Sequence, residues 1–371
     1  MTTSFPSRTS LRLSRTALAG VALALASACG DGNSTAPVSG FLAGTPSDRE
    51  IGLVVNSTGK ALTLFQLGKP SMQEQIPLGS SSAVTPTGLS VRGKLAAVPL
   101  GQTASVALID LGSASIRRYY TFASGNTTGS AFSDDTTLFL ANPTLDLVGR
   151  VRTGQAGDSV TTTVTVAPQP TAIVFAPGKV LVVSSNLDEN YAPLGNGVVT
   201  AIDPKTMQIL GTVVTGGQNS TDAALGPDGL LYVVNTGDYV SDGSVSVIDP
   251  TTLTVVSTFG GMGPGIGAIS VDANGLAYIS QYANGTFVWN TKTRTFVRNF
   301  ASPVCARLAT GECRGAFAAT ASANGTLYQL FFGDANHGLA PYAFVYSPGT
   351  FALTDSIAVG TGPAAIAIKS F

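Results

Sequence analysis

The sequence predicts an all-β protein, a seven-bladed β-propeller of four-stranded blades, and three observations lead to this prediction. Valine, threonine, serine and glycine dominate the chain, and charged residues make up only 11% of its 371 residues. Such a composition is typical of many short strands joined by turns. Six segments repeat one order of strands and turns, and the two ends of the chain supply the parts of a seventh. The hydrophobic fraction of 44% is sufficient for a packed core.

The first 28 residues are predicted to be a secretory signal peptide rather than part of the fold. Arg8, Arg12 and Arg15 precede an apolar stretch from Ala17 to Ala28 that ends in small residues. Twelve apolar residues are too few for a bilayer core that needs about 20, so we expect no permanent transmembrane helix here. Removing the three arginines takes the formal net charge from −1 to −4.

The segment Leu25-Ala26-Ser27-Ala28-Cys29-Gly30 resembles the lipobox of bacterial lipoproteins, with Ala26 where that family most often has leucine. The resemblance implies cleavage before Cys29, which would become the lipidated N-terminus. The alternative is an ordinary signal peptide followed by an unmodified cysteine. Gly30 is not the aspartate that retains enteric lipoproteins in the inner membrane, so the choice of membrane stays open. Residues 29–49 are predicted to form the lipidated cysteine and a flexible tether.

Two cysteines remain beyond Cys29, and they are predicted to form a disulfide. Cys305 and Cys313 are a pair in a chain with an export signal. They lack Cys-x₂-Cys zinc spacing, and the chain has a single histidine, His337. We therefore expect a disulfide in this segment and no metal site.

The internal repeat is the main indication of fold. Residues 222–259 contain a small-residue strand, a glycine turn, a second strand ending at Asn235, a loop, and a hairpin around Asp249-Pro250. The same order recurs in residues 171–214 and 268–300, and in weaker form in 87–121, 129–166 and 316–358. The first-turn residues are spaced by 42, 43, 51, 46 and 50 positions, a period typical of propeller blades; they are Gly93, Asp135, Gly178, Gly229, Gly275 and Gly325.

The seventh blade is split between the two ends of the chain. Residues 51–78 provide three strands and lack the first, whereas the C-terminal sequence GPAAIAIKS reads as a first strand with nothing after it. Pairing the C-terminal strand with the N-terminal strands would close the ring and remove the free edges. The propeller is therefore predicted to span residues 50–371.

The repeat resembles the YVTN family of β-propellers, which is common in exported and surface-layer proteins. Tyr232-Val233-Val234-Asn235 is nearest to the naming motif, and Val247-Ile248-Asp249-Pro250 matches the ending of the third strand. Gly263-Pro264 and Gly362-Pro363 match a Gly-Pro element before a first strand. The resemblance covers residues 50–371 and implies architecture rather than activity, because propellers have many unrelated functions.

Turn chemistry explains most of the repeated polar residues. Asp110, Asp203 and Asp249, with Asn290 and Ser347 at the same place, are predicted to hold the backbone at tight turns. His337, the only candidate for a catalytic triad, lies in a polar loop without a nucleophile motif. Bacterial lactonases share the seven-bladed fold, but their Gly-Pro-Arg-His signature is missing. No catalytic residue and no cofactor is therefore predicted.

One face of the propeller is predicted to carry the longer loops. Strand alternation places the loops between second and third strands on the same face as the links between blades, and binding sites often lie on such loops. Tyrosine with acids is a plausible contact chemistry, and the alternative is that these loops are long because nothing constrains them. The candidate binding residues are Asp188, Glu189, Tyr191, Asp238, Tyr239, Asp242, Tyr282, Asp334 and His337.

These observations predict a non-catalytic binding or scaffold module, anchored by lipid in the bacterial cell envelope on the periplasmic side or the cell surface. We expect a monomer that engages a protein or glycan through the loop-rich face. Nucleic acid is not expected as a partner because the chain has no basic cluster. The alternative is a propeller enzyme, lactonase-like or another hydrolase, with its site at the central channel. The first strands there offer mainly apolar and small residues, which favours binding.

Overall fold

The computed structural model describes residues 49–334 and 338–371, and every regular element in these ranges is a β-strand. The strands form seven four-stranded antiparallel sheets arranged as a seven-bladed propeller. The predicted fold class is confirmed. The predicted signal peptide, Cys29 and tether residues 29–48 lie outside the described residues, as does His337.

Blade 1 closes the ring in the predicted way. It is built from both ends of the propeller, in the order β28-β1-β2-β3. β28 runs antiparallel to β1, from the pair Glu50–Ser370 to the pair Asn56–Pro363. The bounds of its strands are β1 (Glu50–Asn56), β2 (Ala61–Gln66), β3 (Lys69–Pro77) and β28 (Pro363–Ser370).

Blades 2 to 7 each use four consecutive strands, with the first strand at the channel and the fourth at the rim. Blade 2 contains β4 (Ser90–Arg92), β5 (Leu95–Pro99), β6 (Ser105–Asp110) and β7 (Ser115–Thr121). Blade 3 contains β8 (Ser130–Asp134), β9 (Thr137–Asn142), β10 (Leu147–Arg152) and β11 (Thr162–Thr165). Blade 4 contains β12 (Pro170–Ala176), β13 (Lys179–Ser184), β14 (Asn196–Ile202) and β15 (Ile209–Gln218).

The remaining three blades follow the same order. Blade 5 contains β16 (Ser220–Leu225), β17 (Leu231–Asn235), β18 (Ser244–Asp249) and β19 (Thr254–Phe259). Blade 6 contains β20 (Ile266–Val271), β21 (Leu276–Gln281), β22 (Gly285–Asn290) and β23 (Thr295–Arg298). Blade 7 contains β24 (Ala318–Ala321), β25 (Leu327–Phe331), β26 (Tyr342–Tyr346) and β27 (Leu353–Ala358).

The core is divided among the junctions between blades. Among the described residues, seven apolar clusters occur, and each joins residues of two neighbouring blades. Second strands such as β9 and β17 are buried along their whole length, because both faces of each sheet are covered. Rim strands such as β7 alternate between covered and exposed positions. Burial therefore decreases from the middle of each blade to its rim.

Candidate functional site

A β-bulge marks the beginning of the first strand in four blades. The pairing of first and second strands slips by one residue at Thr171, Thr221, Gly267 and Ala364. Bulges redirect side chains and are common beside functional sites. Here each of the four residues lies at the mouth of the central channel. We call this place in each blade the bulge position; Thr87, Thr128 and Phe317 begin the corresponding segments of the other blades.

Threonine at this position links consecutive blades. The Oγ1 of Thr128 donates to the carbonyl oxygen of Pro170 at 2.9 Å, and that of Thr171 to Ser220 at 3.1 Å. Thr87 likewise donates to the carbonyl of Thr128, and Thr221 to that of Gly267, at 3.1 and 3.2 Å. Each bond joins one blade to the next, from blade 2 to blade 6. We call Thr87, Thr128, Thr171 and Thr221 the threonine arc.

Asp222 breaks the repeat at the residue after the bulge position. Six blades have glycine or alanine at the corresponding place, and blade 5 alone has a residue with a longer side chain there. The small residues are Gly88, Gly129, Ala172, Ala268, Ala318 and Ala365. Asp222 is half-buried and lines the channel mouth. A carboxylate thus stands in a ring of small side chains.

The Asp222 carboxylate is held between two blades. Its Oδ1 accepts a hydrogen bond from the amide of Ala223, and its Oδ2 accepts one from the amide of Ile269 in blade 6, both at 2.9 Å. Burial raises the pKa of Asp222 to about 6, and the two amide hydrogen bonds only partly offset this effect. The group therefore changes charge close to physiological pH.

Aromatic side chains form the opposite side of the channel mouth. The ring centroids of Tyr282 and Phe317 are 5.0 Å apart, and those of Phe317 and Phe332 are 4.9 Å apart. A Cβ on Gly267 would lie 2.2 Å from the hydroxyl oxygen of Tyr282, so Tyr282 fills the space that threonine fills elsewhere. Burial raises the pKa of Tyr282 to about 12, with smaller contributions from Tyr239 and Asp222. We call Tyr282, Phe317 and Phe332 the aromatic arc.

The two arcs and Asp222 line an open cavity of about 680 Å³ at the channel mouth. Pockets of about 300–1,000 Å³ are of the size that holds small ligands. Of the described residues that line it, Asp222 is the sole one with a charge at neutral pH. The channel mouth therefore combines one carboxylate, threonine hydroxyls and an aromatic wall.

The predicted loop of blade 4 is ordered by one of its own acids. The Oδ1 of Asp188 accepts hydrogen bonds from the amides of Asn190 and Ala192, both at 2.8 Å. The amide of Tyr191 donates to the carbonyl of Asp188 at 3.0 Å. This turn leaves Tyr191 74% exposed. Asp188 thus fixes the loop that presents Tyr191.

The corresponding loop of blade 5 uses the same device. The Oδ1 of Asp238 accepts the amides of Val240 and Ser241, and these hydrogen bonds lower the pKa of Asp238. Asp242 accepts the amide of Gly261 at 3.1 Å and thereby ties the loop to the link between blades 5 and 6. Tyr239 stays exposed. Asp238 and Asp242 therefore hold the loop in shape.

Four of the nine predicted residues meet in one groove. Asp188, Glu189, Tyr191 and Tyr239 line a cavity of about 740 Å³ between blades 3, 4 and 5, together with Asp146. We call this cavity the blade 3–5 groove. Thr128, Thr171 and Thr221 line both the groove and the channel mouth, so the two cavities meet at the threonine arc.

The other predicted residues lie elsewhere. Tyr282 belongs to the aromatic arc, and Asp334 pairs its backbone with Leu339. The predicted Cys305–Cys313 disulfide is confirmed, and it closes a small hairpin between β23 and β24. Arg314 after this hairpin lies over the rings of Phe331 and Phe344, at 5.3 and 5.4 Å from their centroids.

The turns on the opposite face have the predicted structural role. The carboxylate of Asp110 accepts the amides of Gly112 and Ser113, and that of Asp203 accepts those of Lys205 and Thr206. Asn290 makes the same pair of bonds through its side-chain oxygen. Backbone hydrogen bonds lower the pKa values of Asp203 and Asp249. These acids are turn residues.

Asp222 is the site residue that sequence reasoning did not single out. The sequence predicts mainly apolar and small side chains on the first strands, and Asp222 is the exception. Aligning the blades at the residue after the bulge position gives the signal, since aspartate stands where the other six blades have glycine or alanine. The bulge that directs this segment to the channel is visible only in the strand register.

Two further features concern residues 49–334 and 338–371. None of the elements described there is a helix with the length and apolar character to cross a bilayer. Within the same ranges, no three or more histidine, cysteine, aspartate or glutamate side chains are grouped so as to hold a metal ion.

Comparison with known proteins supports the fold alone. No family model matches the chain, and no curated protein matches it. Among solved structures, Kuenenia stuttgartiensis hydrazine synthase is similar with a TM-score of 0.59 and 14% sequence identity. The match covers 77% of this chain and 90% of that one. At this identity the similarity concerns architecture, and a propeller fold is compatible with a binding or scaffold module in general.

Proposed function

We propose that the protein is a non-catalytic binding module of the bacterial cell envelope that takes an envelope glycan into the blade 3–5 groove. The observation that carries the proposal is that Tyr191 and Tyr239, exposed residues of two different blades, line one concave groove together with acidic residues. Exposed tyrosine rings offer flat apolar faces with a polar tip. The Glu189 and Asp146 carboxylates are acceptors for sugar hydroxyl groups.

The preordered loops favour binding in this groove. The hydrogen bonds of Asp188 and Asp238 fix the two turns before any ligand arrives, so less conformational entropy is lost on binding. A volume of about 740 Å³ suits a short segment of a sugar chain. A protein partner would ordinarily cover about 800 Å² on each side, much of it outside the groove. A glycan is therefore the preferred ligand.

The experiment measures binding of the purified protein to an array of bacterial glycans and its co-sedimentation with peptidoglycan sacculi. We expect the double variant Tyr191→Ala/Tyr239→Ala to lose at least about fivefold in affinity, from two aromatic contacts of about 0.5–1.5 kcal/mol each. Tyr119→Ala is the matched control, because Tyr119 is also an exposed tyrosine but lies on the rim strand β7. Equal binding by both variants would remove the groove from consideration.

Crosslinking in the native cell tests the ligand class. A protein recovered by the wild type and lost by the double variant, without glycan binding, would reassign the groove to a protein partner. A glycan bound by the wild type alone supports the proposal.

The proposed membrane tether is a lipid on Cys29, and it rests on the lipobox-like sequence before that residue. We expect an alkyne-labelled fatty acid fed to the cells to label the wild-type protein and to be absent from Cys29→Ser. The wild type should sediment with membranes. Release of unlabelled wild-type protein into the soluble fraction would favour an ordinary signal peptide.

A hydrolase with its site at the channel mouth is the second candidate, and Asp222 is the observation that favours it. A carboxyl with a pKa of about 6 is suited to general base catalysis near neutral pH. Hydrolysis of lactone and nitrophenyl ester probes by the wild type, lost in Asp222→Asn, would support this candidate. Equal background rates for both proteins would dismiss it.

A further inference from the structure

The electrostatics of the channel mouth favour a cationic ligand. Asp222 contributes a negative charge, and no lysine or arginine is among the described residues that line the same cavity. An unneutralised carboxylate in a partly desolvated place attracts positive charge more strongly than one in bulk water. Its burial, which disfavours ionisation, would be offset by a bound cation.

The carboxylate also has acceptor capacity left. An ionised carboxylate offers about four lone-pair sites on its two oxygens. Each oxygen of Asp222 accepts one backbone amide, from Ala223 and Ile269. These two bonds fix the orientation of the group and leave lone pairs for a donor in the cavity. A cation that also carries a hydroxyl group supplies the charge and one such donor.

The aromatic arc determines which kind of cation fits. Cations bind over aromatic faces, with contributions of about 0.5–1 kcal/mol at exposed sites. Tyr282, Phe317 and Phe332 also offer apolar surface for carbon atoms. A calcium ion needs six to eight oxygen ligands, of which Asp222 supplies the only carboxylate in the described lining. An organic cation can contact both the Asp222 carboxylate and the aromatic arc, whereas a metal ion would use the carboxylate alone.

We propose that the channel mouth binds a small organic ammonium compound, with its charged nitrogen at the Asp222 carboxylate and its carbon atoms against the aromatic arc. The cavity of about 680 Å³ accommodates such a molecule. This site is separate from the blade 3–5 groove and takes a different class of ligand. Its ligand occupies the position where blade 5 departs from the small residues of the other blades.

The pH dependence of this site is governed by Asp222. β12 and β20, the first strands of the neighbouring blades, contain no ionisable side chain. On β17, the Tyr232 hydroxyl donates to Asp228 at 2.7 Å. Tyr282 interacts electrostatically with Asp222, and its pKa of about 12 keeps it neutral. Affinity for a permanently charged ligand should therefore follow the ionisation of Asp222 and fall below about pH 6.

Calorimetric titration with choline chloride tests the proposal, with the uncharged isostere dimethylbutanol as a matched ligand and sodium chloride as the salt control. We expect saturable binding of choline to the wild type at pH 7.5, and binding of the alcohol that is at least about tenfold weaker. At pH 5, about one unit below the pKa of Asp222, choline affinity should fall about tenfold.

Variants separate the proposed contacts from folding. Asp222→Asn should lose at least about tenfold in choline affinity, and Phe332→Ala, at a partly exposed position, about two- to fivefold. Circular dichroism and thermal unfolding establish that each variant is folded. If Asp222→Asn does not fold, Phe332→Ala and the pH series still decide the question.

The proposal is overturned by the absence of saturable choline binding to the wild type, or by equal affinity for choline and dimethylbutanol. Unchanged affinity in a folded Asp222→Asn protein would do the same. Tyr191→Ala keeps the two sites distinguishable, because it should weaken glycan binding and leave choline binding intact. A negative result with one ligand therefore leaves the proposal for the other site to be decided by its own experiment.

Discussion

The two sides of the channel mouth are built from the same place in the repeat and differ in what occupies it. On one side, Thr87, Thr128, Thr171 and Thr221 point hydroxyls at the carbonyl of the next blade. On the other side, Gly267 and Ala364 are the small residues at the bulge position, and the rings of the aromatic arc lie beside them. The threonine arc uses its polar groups to hold blades together, whereas the aromatic arc leaves a surface for a ligand. The same position of the repeat can thus stabilise the ring in some blades and shape a ligand site in others.

The largest expected effect comes from removing the strand beside the aromatic arc. Deleting residues 363–371 takes away β28, which supplies Ala364, Ala365 and Ile366 to the channel mouth and pairs with β1 along its length. We expect loss of the cooperative thermal transition and rapid proteolysis of blade 1, because β1 becomes an open edge with its apolar face uncovered.

A synthetic peptide of residues 363–371 is the control for this deletion. Added to the truncated protein, it should restore protection against protease. A truncated protein that melts at the wild-type temperature would contradict the dependence of the ring on β28.

The next effect converts the aromatic arc into the threonine arc. Gly267→Thr places a Cβ 2.2 Å from the Tyr282 hydroxyl oxygen, so the ring must leave its position. We expect a loss of about 1–3 kcal/mol in the free energy of unfolding, the usual cost of overpacking. Chemical denaturation measures it.

In a Tyr282→Ala background, the loss in the free energy of unfolding caused by Gly267→Thr should fall below about 1 kcal/mol. The vacated space then admits the threonine, whose hydroxyl can reach the next blade as the hydroxyl of Thr221 does. An equal cost in both backgrounds would show that the steric conflict with Tyr282 is not the cause.

The third effect is on pH dependence and concerns Asp222, which stands on the border between the arcs. Its folded pKa of about 6 lies above the ordinary value of 3.8. Between these two values the unfolded chain loses its proton while the folded protein keeps it, so stability falls as the pH rises from about 4 to about 6. Above pH 6 the loss is constant, at about 2–3 kcal/mol for a shift of about two units.

Urea denaturation of the wild type and Asp222→Asn at pH 4, 5, 6 and 7.5 checks this effect. The difference in stability between the two proteins should change in favour of the variant over that range. A difference that does not vary with pH would rule out a raised pKa.

The smallest effect concerns single bonds of the threonine arc. Thr171→Val keeps the shape and removes the hydroxyl that donates to Ser220, while the Ser220 carbonyl still accepts the hydroxyl of Ser185 at 3.0 Å. We expect a loss of about 0.5–1.5 kcal/mol in the free energy of unfolding. A stability equal to that of the wild type would show that this bond does not contribute.

The sequence was sufficient for the architecture, because each blade repeats its own turn chemistry. Asp110, Asp203 and Asn290 hold equivalent turns by local hydrogen bonds that depend on a few neighbouring residues. Ring closure was predictable for a different reason, since one end lacks a strand and the other has one to spare. The disulfide followed from two cysteines near each other in the chain.

The site was harder to predict because its parts come from distant blades. The groove unites Asp146, Asp188 and Tyr239, whose proximity depends on how the sheets pack around the ring. Asp222 became conspicuous only when the strand register placed it in line with six small residues. The role of the nine predicted loop residues stays a prediction, and His337 lies outside the described residues.

The pairing of β1 with β28 has a consequence for the order in which the molecule folds. Glu50 and Ser370 are partners although 320 positions separate them along the chain. Nearly the whole polypeptide must therefore be available before blade 1 can be completed, and contacts of such long range make folding slow. Until β28 pairs with it, β1 has an unpaired edge that is prone to aggregation. Closure of this ring is thus a late step, and we expect chaperones to matter most for the N-terminal strands of blade 1.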